Sequence, residues 1–421
     1  MVSGQQMVIF VLGWLAYAST YFLRKPLGLL KVAIERDLGL TTAQLGLLDA
    51  SLLLPYAVAQ IAFGSLGDTF GPQRIFGFCL IASGLSMVTF GLWSSVEALC
   101  LLLFLNGLAQ SQCWPNCTKI LSCWFTDGQK NSVFGLFGTC AFAGGIIGTG
   151  LAVYLENKTG SWRAVHTIPS IIVASFGILV LLFYRECKEA RLQKPADEDE
   201  NALTTSSSSP HQFRELIRLP AVIEISVAVF CLKLVRYCMY MWMPLYLEKQ
   251  LGYPSTSAGL FSTMFEIGGV IGSALCGALI DKYSPSRPLL GVTFSITASA
   301  ASLVLFNATA HWGYASNSLC MFLSGAFNCG PDTILGAAVP NKIGQQDKRD
   351  CSAAVTGVVN GFGSLGTVIE GPLIAWLSGM YGWSRIFPLM VVLTLLGAAA
   401  TIKASPSIRS TIKSEDNHLV V

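Results

Sequence analysis

The chain has 421 residues, of which 52% are hydrophobic and only 12% charged, and its formal net charge is +3. Soluble domains carry about 25% charged residues, so a water-soluble globular protein is excluded. The apolar segments are long enough for helices of about 20 residues and lack the alternation of a barrel strand, which leaves an all-α membrane protein.

The first apolar segment, "MVIFVLGWLAYASTYFL", has neither a basic leader nor a small-residue cleavage site and is read as the first span. In chain order, hydrophobic stretches predict spans at 7–28, 44–65, 74–94, 97–121, 131–155 and 165–184. A second set follows at 219–247, 257–280, 288–309, 315–338, 352–377 and 382–403. Between the sets runs "RECKEARLQKPADEDENALTTSSSSPHQFRELIR", rich in charge and Ser, which cannot bury apolar surface. The expected organisation is a six-helix bundle over 1–184, a linker over 185–218, a second six-helix bundle over 219–403 and a tail over 404–421.

Arg74, the linker cations Arg185, Lys188, Arg191 and Arg214, then Lys282, Arg287, Lys342 and Lys348 all fall on one side of a twelve-span chain. The positive-inside rule makes that side cytosolic, with both termini. Asn157 in "NKT" and Asn307 in "NAT" fall on the opposite side and are the expected glycosylation sites, whereas Asn116 in "NCT" lies inside a span.

The two halves are repeats. "GSLGDTFGPQR" from Gly64 and "GALIDKYSPSR" from Gly277 both read G-x-x-x-D before a basic turn. Arg24 precedes Asp68 by 44 residues and Arg236 precedes Asp281 by 45, so the two intramembrane arginines hold equivalent places in the first span of each half. Weaker echoes are Pro115 in "WPNC" against Pro331 in "CGPDT", and "GSWR" against "YGWSR". Duplicated halves with a substrate path at the repeat interface are a transporter pattern.

Charges inside spans point to the site. Trp14, Tyr17, Tyr21 and Arg24 recur at helical spacing, with Lys25 beside them, and Lys233, Arg236 and Tyr240 share a face of the seventh span. Arginine presents a planar fork that pairs two phosphate oxygens and keeps its charge in a poorly hydrated place. Either basic pair alone could snorkel to the membrane edge, but matching positions in both repeats favour an anion clamp. Glu266 is expected to form a structural ion pair with Lys233 or Arg236, with a part in proton coupling as the alternative. Glu224 and Glu370 are discounted as lying near span ends. Asp68 and Asp281, placed in cytosolic turns, are expected to gate by capping neighbouring helix ends. Glycines in "FAGGIIGTG" and "NGFGSLG" suit close helix approach. The 13 Cys are scattered singly, and Cys113 and Cys117 in "CWPNC" have no second ligand pair, so no metal is expected. No paired catalytic carboxylates, phosphate-cradling loop or triad elbow is present, so neither an enzyme nor a cofactor is expected.

The twelve-span plan and the two G-x-x-x-D loops resemble the major facilitator superfamily, although Thr69 stands where that family commonly has a basic residue. "YFLRK", "NGLAQSQCWPNC" and "LVRYCMYMWMPLYL" resemble the organophosphate:phosphate antiporters. "CLKLVRY", "FEIGGVIGS" and "VVNGFGSLG" look most like that family's eukaryotic sugar phosphate exchangers and glycerol-3-phosphate transporter-like members. The resemblance implies a major facilitator fold of two pseudo-symmetric six-helix bundles. It places the phosphate ligands at Arg24 and Arg236, with Tyr21, Lys25 and Glu266 as neighbours. Bacterial members carry a substrate-contacting His in span 5, and no His occurs at 138–145 here.

The expected function is exchange of an organophosphate, such as glucose-6-phosphate or glycerol-3-phosphate, for inorganic phosphate by alternating access. A proton-coupled carrier of another anion, or a non-transporting receptor or subunit of the same fold, are the alternatives. Obligatory exchange is expected on the ground that unpaired buried cations resist closure of the empty site. Expected partners are the phosphorylated substrate, inorganic phosphate and the bilayer, with an accessory membrane subunit left open and no nucleic acid. The membrane expected is that of the endoplasmic reticulum or the endolysosomal system rather than the cell surface.

Overall fold

The structure is a computed structural model that describes residues 3–30, 34, 37–185, 213–253, 255–285, 287–347 and 351–418. Most of the linker expected at 185–218 therefore lies outside the described residues. The first repeat runs through α1 (Gly4–Ser19), α2 (Tyr21–Leu29), α3 (Thr42–Ala62), α4 (Leu66–Phe70), α5 (Pro72–Phe90), α6 (Val96–Ser111), α7 (Cys113–Trp124), α8 (Asp127–Thr159) and α9 (Trp162–Phe183). After a short α10 (Phe213–Leu216), the second runs through α11 (Val222–Met241), α12 (Met243–Leu251), α13 (Ser255–Tyr283), α14 (Pro288–Thr309) and α15 (Tyr314–Thr333). A π-helical segment (Ile334–Ala338), α16 (Val339–Gln345), α17 (Ser352–Tyr381) and α18 (Ile386–His418) complete it.

Among the described residues, nine stretches are long and apolar enough to cross a membrane. The second, seventh and tenth expected spans are α3, whose apolar stretch Gly46–Ala62 is shorter, α11 with α12, and α15 with its π-helical continuation. The protein is thus an all-α, multi-pass membrane protein with twelve transmembrane helices. Large apolar side chains such as Phe78, Leu85 and Phe294 are exposed, as a lipid-facing surface requires.

Local chemistry explains the helix ends. Ser3 and Gln6 form a reciprocal capping box at the start of α1, and Thr41 and Gln44 repeat it at α3. Gly160, at φ 62, closes α8 in the left-handed conformation that a side chain disfavours.

Spans 1, 4, 7 and 10, expected as single rods, are each interrupted. Ser19 and Thr20 turn their hydroxyls back onto Ala16 and Tyr17 carbonyls at the α1/α2 junction. Pro115 and Pro244 stand just beyond the α6/α7 and α11/α12 junctions, where they remove an N–H from the helical ladder. Pro331 precedes the π-helical segment in span 10. Such interruptions free backbone groups, which membrane proteins tolerate where helices line a protein interior.

Two compact units are distinguished. One comprises 1–126, 143–216 and 341–358; the other comprises 127–142, 217–340 and 359–421. In the first, Gly144 of α8 lies so close to Ala18 that a Cβ there would sit 2.4 Å from its carbonyl oxygen. In the second, Gly268 and Gly272 of α13 are pressed against the backbone of Phe322 and Ala326 on α15. Glycine is required at both crossings.

Candidate functional site

In the first unit, α1 and α2 carry the aromatic face read from the sequence. Tyr17 meets Tyr21 with ring centroids 6.1 Å apart and Trp114 of α7 at 4.8 Å. Arg24 is half-buried, and its guanidinium carbon lies 4.4 Å from the Tyr56 ring centroid and 5.3 Å from that of Tyr21. Its Nε donates to Oε1 of the fully buried Gln110. Gln110 then donates to Ser83 (3.1 Å), and Ser83 donates to Asn106 (3.2 Å). A neutral oxygen and two π faces thereby orient the cation. Lys25 follows, its stem crossing Gly145 of α8 at the point where a Cβ would stand 2.9 Å away.

In the second unit, Arg236 of α11 donates from Nη1 to Oδ2 of Asp332 at 3.0 Å, and its guanidinium carbon lies 4.3 Å from the Phe142 ring centroid. The Asp332 side chain is 7% exposed, and its Oδ1 is buried without a hydrogen-bond partner. Lys233 Nζ donates to Asn360 Oδ1 (3.0 Å), and Asn360 Nδ2 donates to the carbonyl of Gly336 (2.6 Å) in the π-helical segment. A π segment offers such a carbonyl because its ladder is displaced by one residue. Glu266 is half-buried on α13, one turn before Gly269, whose face meets Phe142 and Cys329. The Tyr240 side chain lies outside the described residues.

The carboxylate on Arg236 changes the expected electrostatics. Arg236 is compensated by Asp332, so the premise that both arginines stand as unpaired cations fails for this one. Arg24 has the Gln110 amide and two aromatic rings against it.

The repeated aspartates use one device in each unit. Asp68 is in the one-turn helix α4 rather than a turn, and its side chain is 6% exposed. Its Oδ1 accepts from Lys119 Nζ (2.7 Å) and Ala353 N (3.1 Å), and its Oδ2 accepts from Ala354 N (2.9 Å), the open N–H groups at the start of α17. Asp281 is in the last turn of α13, also not in a turn. It accepts from Asn131 Nδ2 (2.8 Å), Ser132 N (2.6 Å) and the Ser132 hydroxyl near the start of α8.

Asn157 and Asn307 are exposed near the ends of α8 and α14, while Asn116 is fully buried. Glu224, in the first turn of α11, bonds Lys403 Nζ at 3.1 Å. Glu370, discounted in the sequence as lying near a span end, stands well inside the 30-residue α17 and is 4% exposed. Gln110, Tyr56, Asn360, Lys119 and Asp332 were not singled out. Gln110, Asn360 and Asp332 lie in "NGLAQSQ", "VVNGFG" and "CGPDT", but a polar residue in an apolar run does not name its partner.

The model of the Major Facilitator Superfamily matches residues 10–346. The chain is 26% identical to bovine (Bos taurus) sugar phosphate exchanger 3, across 93% of this chain and 91% of that protein. It is 26% identical to the mouse (Mus musculus) glucose-6-phosphate exchanger SLC37A2, across 91% and 88%. It is 27% identical to the putative glycerol-3-phosphate transporter 5 of Arabidopsis thaliana, across 97% and 92%. Among solved structures, the transporter FucP in the outward conformation aligns with TM-score 0.70 at 16% identity, over 96% of this chain and 99% of that one. Human organic anion transporter MFSD10 aligns with TM-score 0.70 at 14% identity, over 94% and 99%.

Proposed function

The chain belongs to the major facilitator superfamily, and on that premise we propose that it exchanges an organophosphate for inorganic phosphate across an intracellular membrane. The observation that carries this reading is the matched pair of arginines on interrupted helices. Arg24 is set over Tyr56 in one unit, and Arg236 over Phe142 in the other. A guanidinium held by a ring face keeps N–H donors for a second ligand, and its fork can pair two oxygens of a phosphate at once. Relatives named as sugar phosphate and glycerol-3-phosphate carriers, similar over nearly their whole length, support a phosphorylated cargo.

In this reading Arg24 and Arg236 bind the phosphate group. Tyr21, Lys25, Lys233 and Tyr240 surround the organic part, and Glu266 balances charge. Asp68 and Asp281 are gates that hold helix starts closed until their bonds are broken. The linker, tail and both termini face the cytosol, with glycans at Asn157 and Asn307 on the other side.

The test is counterflow. Proteoliposomes loaded with inorganic phosphate are offered glucose-6-phosphate, glycerol-3-phosphate, sulfate and a dicarboxylate. Phosphate efflux driven by an organophosphate and not by the dicarboxylate supports the reading. Equal efflux with the dicarboxylate, or none with any organophosphate, overturns it.

A further inference from the structure

Glu370 is a buried charge-bearing group with no part in the phosphate site. It is 4% exposed on α17, a helix that contains no other charged residue, and its Oε1 has no hydrogen-bond partner. One turn on, Ile374 is fully buried in an apolar cluster with Val235 and Cys238 of α11 and Phe387 and Met390 of α18. Earlier on the same helix, Gly363 meets the Lys233 stem and Gly366 the Phe230 carbonyl, so this side of α17 lies along α11.

Among the described residues, the charged and titratable groups on the surrounding elements do not supply a counter-ion. Lys233 is held by Asn360, Arg236 by Asp332, and Lys403 of α18 by Glu224. Cys238 of α11 is within electrostatic reach of Glu370, and Tyr246 of α12 lies in the same apolar cluster. Neither carries positive charge at neutral pH. An ionised carboxylate in such surroundings is neutralised by taking a proton rather than tolerated as a charge. The next residues are Gly371, with open space where a Cβ would stand, and Pro372, which leaves the Val368 carbonyl outside the helical ladder. A helix weakened at that point provides a place for water to reach the carboxyl.

We propose that Glu370 is a proton-binding site, protonated while α17 is packed against α11 and releasing its proton to water when that face opens, so that this carrier's cycle is linked to a proton. The step is a plain transfer: the carboxylate takes a proton from hydronium, leaving water, and returns it in the reverse step. The site itself stands whatever the cargo is.

The experiment is infrared difference spectroscopy of the purified full chain in lipid nanodiscs, titrated around neutral pH with no phosphorylated compound present. Wild type is expected to show the C=O stretch of a protonated carboxylic acid at neutral pH. Glu370→Gln should lose that band, Asp332→Asn should keep it, and Glu370→Asp should keep it at a shifted frequency. Melting of the variants reports whether each is folded, and Gln preserves the neutral shape. A wild-type spectrum without the band, or a band that survives in Glu370→Gln, overturns the proposal. Because no cargo is used, failure of the organophosphate reading leaves this outcome unaffected.

Discussion

Arg236 and Asp332 form an ion pair of 3.0 Å in which the aspartate side chain is 7% exposed and the arginine side chain 18%. Asp332 therefore occupies the arginine face that a transported anion would use, as a tethered anion. If Arg236 takes the phosphate as proposed, binding would require exchange of one partner for the other, and Asp332 would keep the empty site's charge balanced. In the proposed exchange, the return of the empty carrier, expected from the sequence to be blocked by repulsion, would be eased in the second unit by this pair.

This competition is directly testable. Asp332→Asn keeps an oxygen for Arg236 but removes the competing charge, so phosphate should bind about tenfold tighter, or ~1.4 kcal/mol. Net one-way efflux should fall relative to exchange. Phosphate affinity by calorimetry and both fluxes in the same vesicles provide the check; unchanged or weaker binding would show that Asp332 is only a packing partner.

For the arginines themselves, Lys keeps the charge and loses the fork. Arg24→Lys and Arg236→Lys should each lower phosphate exchange at least ~10-fold, or about 1.4 kcal/mol. Gln110→Ala should produce a smaller loss, since the guanidinium remains over Tyr56 while its steering oxygen is gone. Exchange normalised to inserted protein measures all three, and near-normal exchange in both Lys variants would remove the clamp.

The capping by Asp68 has a natural reporter. Cys351 is 1% exposed and directly precedes α17, whose first N–H groups bond Asp68. Asp68→Asn weakens both the cap and the ion pair with Lys119, so labelling of Cys351 by a membrane-impermeant thiol reagent should speed up several-fold. Labelling at the wild-type rate would mean that the carboxylate does not hold this helix end.

At the opposite end of the bundle, Asp37 accepts from Trp162 Nε1 (2.9 Å) and Arg163 Nη2 (3.1 Å). The Trp162 bond first, and Arg163 after it, hold this carboxyl below its usual range. A lowered folded-state value means that its contribution is present above the unfolded carboxylate value and is lost as pH falls through the folded one. Melting of wild type and Asp37→Asn should differ at neutral pH and equally at mildly acidic pH, converging only below the carboxylate range. Convergence already at mildly acidic pH would contradict the sign.

The sequence by itself determined the membrane class, the twelve spans, the internal duplication and the place of Arg24 and Arg236 within it. These follow from local properties: helix-length hydropathy, the cost of a charge in lipid, and the spacing of repeated motifs. Only the tertiary structure decided that Asp332 neutralises Arg236, that Gln110 accepts from Arg24, and that Asp68 closes on residues 353 and 354. Those partners lie 96, 86 and about 285 residues away in the chain, and hydropathy carries no information about pairing over such separations. Glu370 shows the same limit from the other side. Its distance from a span end depends on how far α17 extends, which is set by packing against neighbouring helices rather than by the residues beside it.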